Sequence, residues 1–427
     1  MIKLDAQQQA IVDCNDKNII VAAGAGSGKT RVLTERIKRL LNDGVPPMNI
    51  VSITFTNMAA DGMKERLSDV PGISDAFIGT IHSFANRIYG NSGQYYEIFC
   101  WEKECELMKQ LIRRYAKYCN FDEYMRFCDL NKLVELGRMD GEDIKDQFAP
   151  SVLKEIHQLL NGKTDNDYPE NVRTLCKAYN IITFDDLLKY ATGYYSSIGA
   201  TIEYLLVDEL QDIGPAEYKF LMALNANNNF CVGDDYQAIY GFKGGDVSIF
   251  KRLMKDNSWT TFYLENNYRS CKEITDLGNK VISQVPDRID KKTVNIRKDT
   301  GKVVRGSKFA VSKVLEAIKK EGGYSNWFIL ARSNKDLFYL SGLLDQIGLP
   351  YTSFRKSETN LAQMEQDLKE DTVKLLTVHT AKGLESKNVL LYGPFPEQVP
   401  TYLRNDEERR VMYVGVTRAM DRLVLLN

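Results

Sequence analysis

Residues 21–31 read VAAGAGSGKTR, a glycine-rich loop placed directly behind an apolar run. The run Asn18–Ala23 predicts a buried strand, and the loop predicts a turn whose successive amide N–H groups point inward. Lys29 and Thr30 then open a helix whose positive end faces an anion. In a phosphate-binding loop of this spacing, Gly24, Ala25, Gly26, Ser27 and Gly28 supply the backbone cradle. Lys29 neutralises the β/γ-phosphates and Thr30 coordinates Mg²⁺. Ala23 stands at the first motif position where glycine is usual, and it is tolerated there because that residue ends the strand. The stretch predicts a nucleoside triphosphate site and leaves open what hydrolysis drives.

At 427 residues the chain is too long for one core, which predicts two or three domains. A net charge of −1 argues against a generally basic coat for nucleic acid, although a local basic channel remains compatible with it. The eight cysteines include no C-x-x-C pair, so the simplest reading is reduced thiols in a cytoplasmic protein. Cys100, Cys105, Cys119 and Cys128 crowd one stretch, where an iron–sulfur cluster competes with the plainer reading of small buried apolar residues. No apolar run is long enough to span a bilayer, and the N-terminus turns polar at once, so a soluble protein without membrane association is expected.

Strand and helix patterns alternate at Ile50–Thr54, Tyr204–Val207 and 230–232, each ending in a polar turn. That pattern predicts an α/β fold with a parallel sheet and ligands at the carboxyl ends of its strands. The stretch between Lys29 and Asp208 is far longer than a few strand–helix units need, so something is inserted. Residues 91–197 read as a helical subdomain: 101–119 carries apolar residues at helical spacing, and 137–146 and 161–167 read as loops. A second strand–helix series follows 262–264 and includes 326–331, Val373–Thr377 and 388–392. The expected domains are therefore 1–90 with 198–263, the insertion 91–197, and 264–427.

The strand Tyr204–Val207 ends in Asp208-Glu209. Beside a phosphate loop, the first carboxylate would hold Mg²⁺ and the second would orient or deprotonate the attacking water. An isolated acidic pair is more often a solvated turn, and the preceding apolar strand is what favours the chemical reading. Residues 231–246, CVGDDYQAIYGFKGGD, place Gln237 as a neutral sensor of the γ-phosphate. Tyr240 and Phe242 beside Lys243 suit stacking on unpaired bases, although two such aromatics taken alone more often pack in a loop.

With these motifs in order, the chain resembles the UvrD/Rep-type (PcrA-like) superfamily 1 DNA helicases. The resemblance rests on 4–12, 23–31, 52–66, 79–83, 204–212, 231–245, 264–270, 328–334, 373–385 and 406–419. LENNYRS (264–270), LLTVHTAKGLE (375–385) and EERRVMYVGVTRA (407–419) are the most specific. It implies two RecA-like P-loop domains with parallel sheets, ATP and Mg²⁺ as cofactors, and a helical subdomain inserted in the first domain.

The same resemblance implies that Gln8 reads the adenine edge, that Arg31 and Tyr268 sandwich the base, and that Glu385 meets the ribose. Arg269 and Arg418 would act as arginine fingers on the γ-phosphate, joining Lys29, Asp208, Glu209 and Gln237 as catalytic residues. Phe55, Thr56, Asn57, Thr80, His82, Arg332 and Asn334 would contact single-stranded DNA with Tyr240, Phe242 and Lys243, and His379 would link that strand to the nucleotide. The third histidine, His157, reads as structural.

Departures from the family pattern include the short stretch between Tyr351 and Val373, where relatives carry a second accessory subdomain. No partner-binding tail or nuclease is expected after the last motif. Ile213, Phe242-Lys243 and Ser386 stand where Thr, Trp-Arg and Phe are common. The implied activity is 3′→5′ translocation on single-stranded DNA with unwinding at single/double-strand junctions, by a monomer whose protein partner, if any, is unspecified. The alternative is a nucleic-acid-stimulated ATPase subunit that gates a partner effector. A catalytically dead binding scaffold is disfavoured by the intact charged set.

Overall fold

A computed structural model describes residues 3–94, 96–98, 126, 181–182, 184–354, 366–393 and 406–427. They fall into two compact units, residues 1–81 with 201–427 and residues 82–200. The helical pattern of 101–119, the loops 137–146 and 161–167, the four crowded cysteines and His157 lie outside the described residues.

The strands, in chain order, are β1 Asn18–Ala23, β2 Ile50–Thr54, β3 Phe77–Thr80, β4 Glu97–Ile98, β5 Ile181–Ile182, β6 Tyr204–Val207, β7 Asn228–Gly233 and β8 Thr260–Leu264. They continue as β9 Asn266–Asn267, β10 Val294–Asn295, β11 Lys302–Gly306, β12 Trp327–Ala331, β13 Tyr351–Ser353, β14 Val373–Thr377, β15 Ser386–Tyr392 and β16 Ala419–Leu426.

The first large sheet has the order β3-β2-β6-β7-β1-β8, and all its pairings are parallel. The central strands are largely apolar, and β2 is buried at every position. Between β1 and β2, consecutive in sequence, the sheet inserts β6 and β7. The phosphate loop leaving β1 therefore lies beside the carboxyl ends of the two strands that carry Asp208 and the Gln237 turn, a switch point of strand order.

The second large sheet, β11-β16-β15-β12-β14-β13, is also wholly parallel. Its carboxyl ends lead to Arg332 after β12 and to His379 after β14. The edge strand β13 pairs with β14, so the connection expected to be short joins two neighbouring strands.

Both sheets belong to one compact unit, and the reason is apolar. Ala25 of the phosphate loop, with Tyr236 and Ile239 after β7, shares one buried cluster with Ile274, Phe328, Leu376, Val411 and Leu423 of the second half. The expected division at residue 264 is therefore a division between sheets that share a core.

The second unit also begins earlier than the expected insertion. Within that unit Tyr89, on the helix Ile81–Gly90, meets Tyr96 at 4.8 Å and Tyr190 at 5.5 Å, and the Tyr194 hydroxyl donates to the Asn91 carbonyl at 3.1 Å. Phe184–Ser197, a helix within the expected insertion, supplies Tyr190 and Tyr194. Among the described residues no helix is long and apolar enough to cross a membrane, and Cys14, Cys231 and Cys271 carry free thiols.

Leu376, fully buried in the shared cluster, reports on that core. Leu376→Ala should cost about 2–5 kcal/mol of stability, read as a lower urea midpoint.

Candidate nucleotide site and nucleic-acid face

The helix Lys29–Asn42 begins differently from its neighbours. Thr56, Ser333 and Asp246 cap their helices with a side-chain oxygen, whereas Gly28 offers no side chain and the first turn holds no acidic residue. Its amide donors are thus left to an anion. Gly26 and Gly28 take left-handed φ angles of 69° and 85°, which L side chains resist. A Cβ on Gly26 would also lie 2.7 Å from the Arg269 Cβ. The loop is held from behind, where Gly24 N donates to Leu264 O at 2.8 Å and Asn267 Nδ2 to Ala25 O at 2.8 Å.

Around this cradle the expected charged residues converge. Lys29 Nζ lies 3.2 Å from Glu209 Oε2. The Thr30 hydroxyl is 3.4 Å from Asp208 Oδ2, so two hard oxygen donors stand side by side, which is the chemistry Mg²⁺ prefers. Burial, then Glu209, pushes the Asp208 carboxyl upward. Glu209 is half-buried, but Lys29 and then Lys382 hold it below the ordinary carboxylate range. It occupies left-handed backbone at φ 53°, an uncommon conformation for glutamate that turns the chain sharply after Asp208.

Arg418 reaches this group from the second sheet. Its Nη2 donates to Gln237 Oε1 at 3.2 Å, and its other donors meet Val414 O at 3.1 Å and Leu384 O at 3.0 Å. Burial, then the Arg269 charge, lowers its pKa to about 9, which still leaves the guanidinium charged at neutral pH. Arg269 forms an ion pair with Glu385, so Glu385, expected on a ribose, here meets the arginine expected on the γ-phosphate.

Two of the residues expected at the base, Gln8 and Tyr268, are tied together by Asp5, which sequence reasoning missed. Gln8 closes a capping box with Asp5, and its Nε2 donates to Ser27 O of the phosphate loop at 3.0 Å. Asp5 Oδ2 accepts from Asn266 Nδ2 at 2.9 Å and from the Tyr268 hydroxyl. Tyr268 keeps its ring 41% exposed, with the Arg31 charge near enough to act on its hydroxyl.

On the proposed nucleic-acid face, Tyr240 stacks on Phe55 with centroids 4.9 Å apart and planes 19° apart. The Lys382 ammonium lies 4.8 Å from the Tyr240 ring centroid, and the Tyr240 hydroxyl donates to His379 O at 3.2 Å. Tyr240 thus packs against Phe55 and Lys382, while Phe242 is 40% exposed and meets His379 edge-on at 5.3 Å.

The Thr56 hydroxyl caps the helix Asn57–Leu67, and Asn57 and Asn334 are exposed at helix starts. Arg332 is engaged by Glu408 through Nε at 2.9 Å and Nη2 at 2.5 Å. Thr80 ends β3. His82 falls in the other unit, edge-on to Phe184 at 4.7 Å. The side chain of Lys243 lies outside the described residues.

Besides Asp5, sequence reasoning missed Lys382 and Lys291. Lys382 pairs with Asp212 and donates to Gln237 O at 2.7 Å. Lys291 pairs with Asp234 and Asp235. The usable signal for Lys382 was its place in TVHTAKG; Lys291 offered none.

Burial pulls the Asp5 carboxyl upward, but hydrogen bonds from Asn266, Gln8 and Tyr268 outweigh it and keep the pKa below the model-peptide value of 3.8. A depressed folded-state pKa contributes stability that is present above the unfolded value and lost as pH falls through the folded one. The gap in thermal midpoint between wild type and Asp5→Asn should therefore be largest above pH about 5 and close as pH falls below about 4, read by pH-dependent calorimetry.

Compared with known proteins, residues 4–258 match the UvrD/REP helicase N-terminal domain and residues 353–427 the UvrD-like helicase C-terminal domain. A probable DNA helicase of Mycoplasma pneumoniae is 27% identical, over the whole of this chain and 84% of its own length. ATP-dependent DNA helicase PcrA of Leuconostoc citreum is 30% identical over 82% of this chain and 49% of itself. DNA helicase II of Escherichia coli is 28% identical over 82% and 51%. The chain spans about half the length of these last two relatives. The two parallel sheets are RecA-like, and the chain belongs to the UvrD/REP helicase family.

Proposed function

We propose that the protein is an ATP-driven motor that moves 3′→5′ along single-stranded DNA and unwinds duplex at single/double-strand junctions. The observation that carries this reading is the composite charged site. Lys29, Thr30, Asp208, Glu209 and Gln237 come from the first sheet, Arg269 follows it, and Arg418 from the second sheet touches Gln237 at 3.2 Å. Family membership supports the direction and the choice of DNA.

ATP would lie with its phosphates on the loop amides and its base between Arg31 and Tyr268. Lys29 would exchange Glu209 for the β/γ-phosphates, which frees the Glu209 carboxylate to accept a proton from the attacking water. That water forms the new bond to the γ-phosphorus as the bond to the β–γ bridging oxygen breaks. Arg269 and Arg418 stabilise the charge developing on the transferred group. Thr30 and Asp208 would hold Mg²⁺, which neutralises phosphate charge when bound.

Coupling to DNA has a path in side chains. Phe242 and His379 would meet bases, Tyr240 joins them to Lys382, and Lys382 reaches Asp212 and the Gln237 carbonyl. Hydrolysis would then release the hold of the second sheet on Gln237 and shift one set of strand contacts against the other. We place the motor in the cytoplasm as a monomer.

One observation favours a second reading. Neighbouring strands β13 and β14 are joined by residues 354–372, which leaves little chain for a second accessory subdomain. A subunit whose DNA-stimulated hydrolysis gates a partner effector would use the same site without robust unwinding.

ATP hydrolysis with and without oligo-dT, beside strand displacement on 3′- and 5′-tailed duplexes, separates these readings. Stimulated turnover with displacement from the 3′ tail is expected, and Lys29→Ala should abolish both. Arg418→Ala should lower turnover by about 10³-fold or more while nucleotide binding persists. Stimulated turnover without displacement selects the gating subunit, and no stimulation by any single strand contradicts a motor.

A further inference from the structure

The turn that carries Gln237 is gripped from behind by a segment that leads from the Arg269 region into the second sheet. Lys291 Nζ lies 3.0 Å from Asp234 Oδ1 and also pairs with Asp235. Its side chain is 1% exposed and those of both carboxylates 0%. The same ammonium sits 3.8 Å from the Tyr236 ring centroid. The backbone adds to the grip: Ile289 N donates to Asp235 Oδ2 at 2.8 Å, and the Tyr236 hydroxyl donates to Ile289 O at 2.9 Å and Lys291 O at 2.8 Å.

This buried pairing bears directly on Gln237. Asp234 Oδ2 accepts from Gln237 Nε2 at 2.6 Å, while Gln237 Oε1 accepts from Arg418 at 3.2 Å. A carboxylate only accepts and a guanidinium only donates, so the amide has one satisfactory orientation between them. That orientation holds only while Asp234 keeps Oδ2 turned to the Gln237 amide. Burial alone would drive the proton off Lys291, but Asp234 and then Asp235 hold it on and keep the pKa above the ordinary lysine value.

We propose that Lys291 is a positioning residue for ATP turnover, fixing Asp234 so that Gln237 presents its carbonyl to Arg418 and its amide edge to the γ-phosphate. This rests on the reading of the site as an ATPase. Lys291 touches no reacting atom, and its action passes through Asp234 and Gln237. It also ties the sensor turn to the segment that follows Arg269, so that both γ-phosphate contacts answer to one anchor.

The test is steady-state ATP hydrolysis at saturating oligo-dT by wild type, Lys291→Met, Lys291→Arg, Gln237→Ala and the Lys291→Met/Gln237→Ala double variant. Lys291→Met should lower kcat by about tenfold or more while KM for ATP stays within about threefold, because position is lost and nucleotide affinity is not. Lys291→Arg should recover most of the loss, and the double variant should be no slower than Gln237→Ala. A wild-type kcat in Lys291→Met, or losses that multiply in the double variant, would overturn the positioning role.

Where Lys291→Met fails to fold, Lys291→Met/Asp235→Asn removes one buried charge of each sign. The same fall in kcat supports the role, and wild-type turnover overturns it. Absence of DNA-stimulated turnover in the wild type would overturn the ATPase reading and this inference with it. Normal wild-type turnover with an unchanged Lys291→Met overturns the inference alone.

Discussion

Gln237 stands between an obligate acceptor and an obligate donor, Asp234 at 2.6 Å and Arg418 at 3.2 Å, and the arrangement of the site follows from that two-sided bond. Asp234 belongs to the first sheet and Arg418 to the turn before the last strand of the second. Arg418 is itself fixed by the carbonyls of Val414 and Leu384, so the backbone of the second sheet sets where its guanidinium stands. Ser386 N, donating to Arg418 O at 3.0 Å, locks that turn to β15. The relation of the two sheets is thereby read out at one amide beside the phosphate loop.

The surroundings are built from buried and half-buried ion pairs, which add little net stability but fix geometry. Lys29 with Glu209, Lys382 with Asp212, and Lys291 with Asp234 and Asp235 each set a desolvated ammonium against carboxylate. Taking such charges from water largely cancels their attraction, and removing one partner costs about 3–5 kcal/mol because the other is stranded. Lys29 differs from the other two in its surroundings. Burial works against its charge, while Glu209, Asp234 and Asp208 favour it. It also faces an uncapped helix start, where phosphate can replace the carboxylate that it holds. The other pairs act as pins between segments distant in sequence.

Local chemistry made the first half of this legible from sequence. Glycine spacing, an apolar strand and an acidic strand end are short-range signals, and Asn18–Ala23, Ile50–Thr54 and Tyr204–Val207 form strands as their composition requires. What stayed hidden depended on contacts between remote segments. A lone lysine such as Lys291 reads as solvated surface because the two aspartates that bury it are more than fifty positions away. Tyr240 had the composition of a base platform, yet Phe55 and Lys382 take up its ring. Asp5 caps the helix Ala6–Asp13, and its second carboxylate oxygen, turned to Asn266 and Tyr268, is visible only once the strand that follows β8 is placed against that helix.

The central claim is that residues of both sheets close on one γ-phosphate. A structure of the protein with a non-hydrolysable ATP analogue, Mg²⁺ and oligo-dT tests it most directly. The account predicts Lys29 on the β/γ-phosphates, Arg269 released from Glu385, and the Arg269 and Arg418 guanidinium groups within hydrogen-bond reach of the γ-phosphate oxygens. Bound phosphates with Arg269 still on Glu385 and both guanidinium groups out of reach would contradict it.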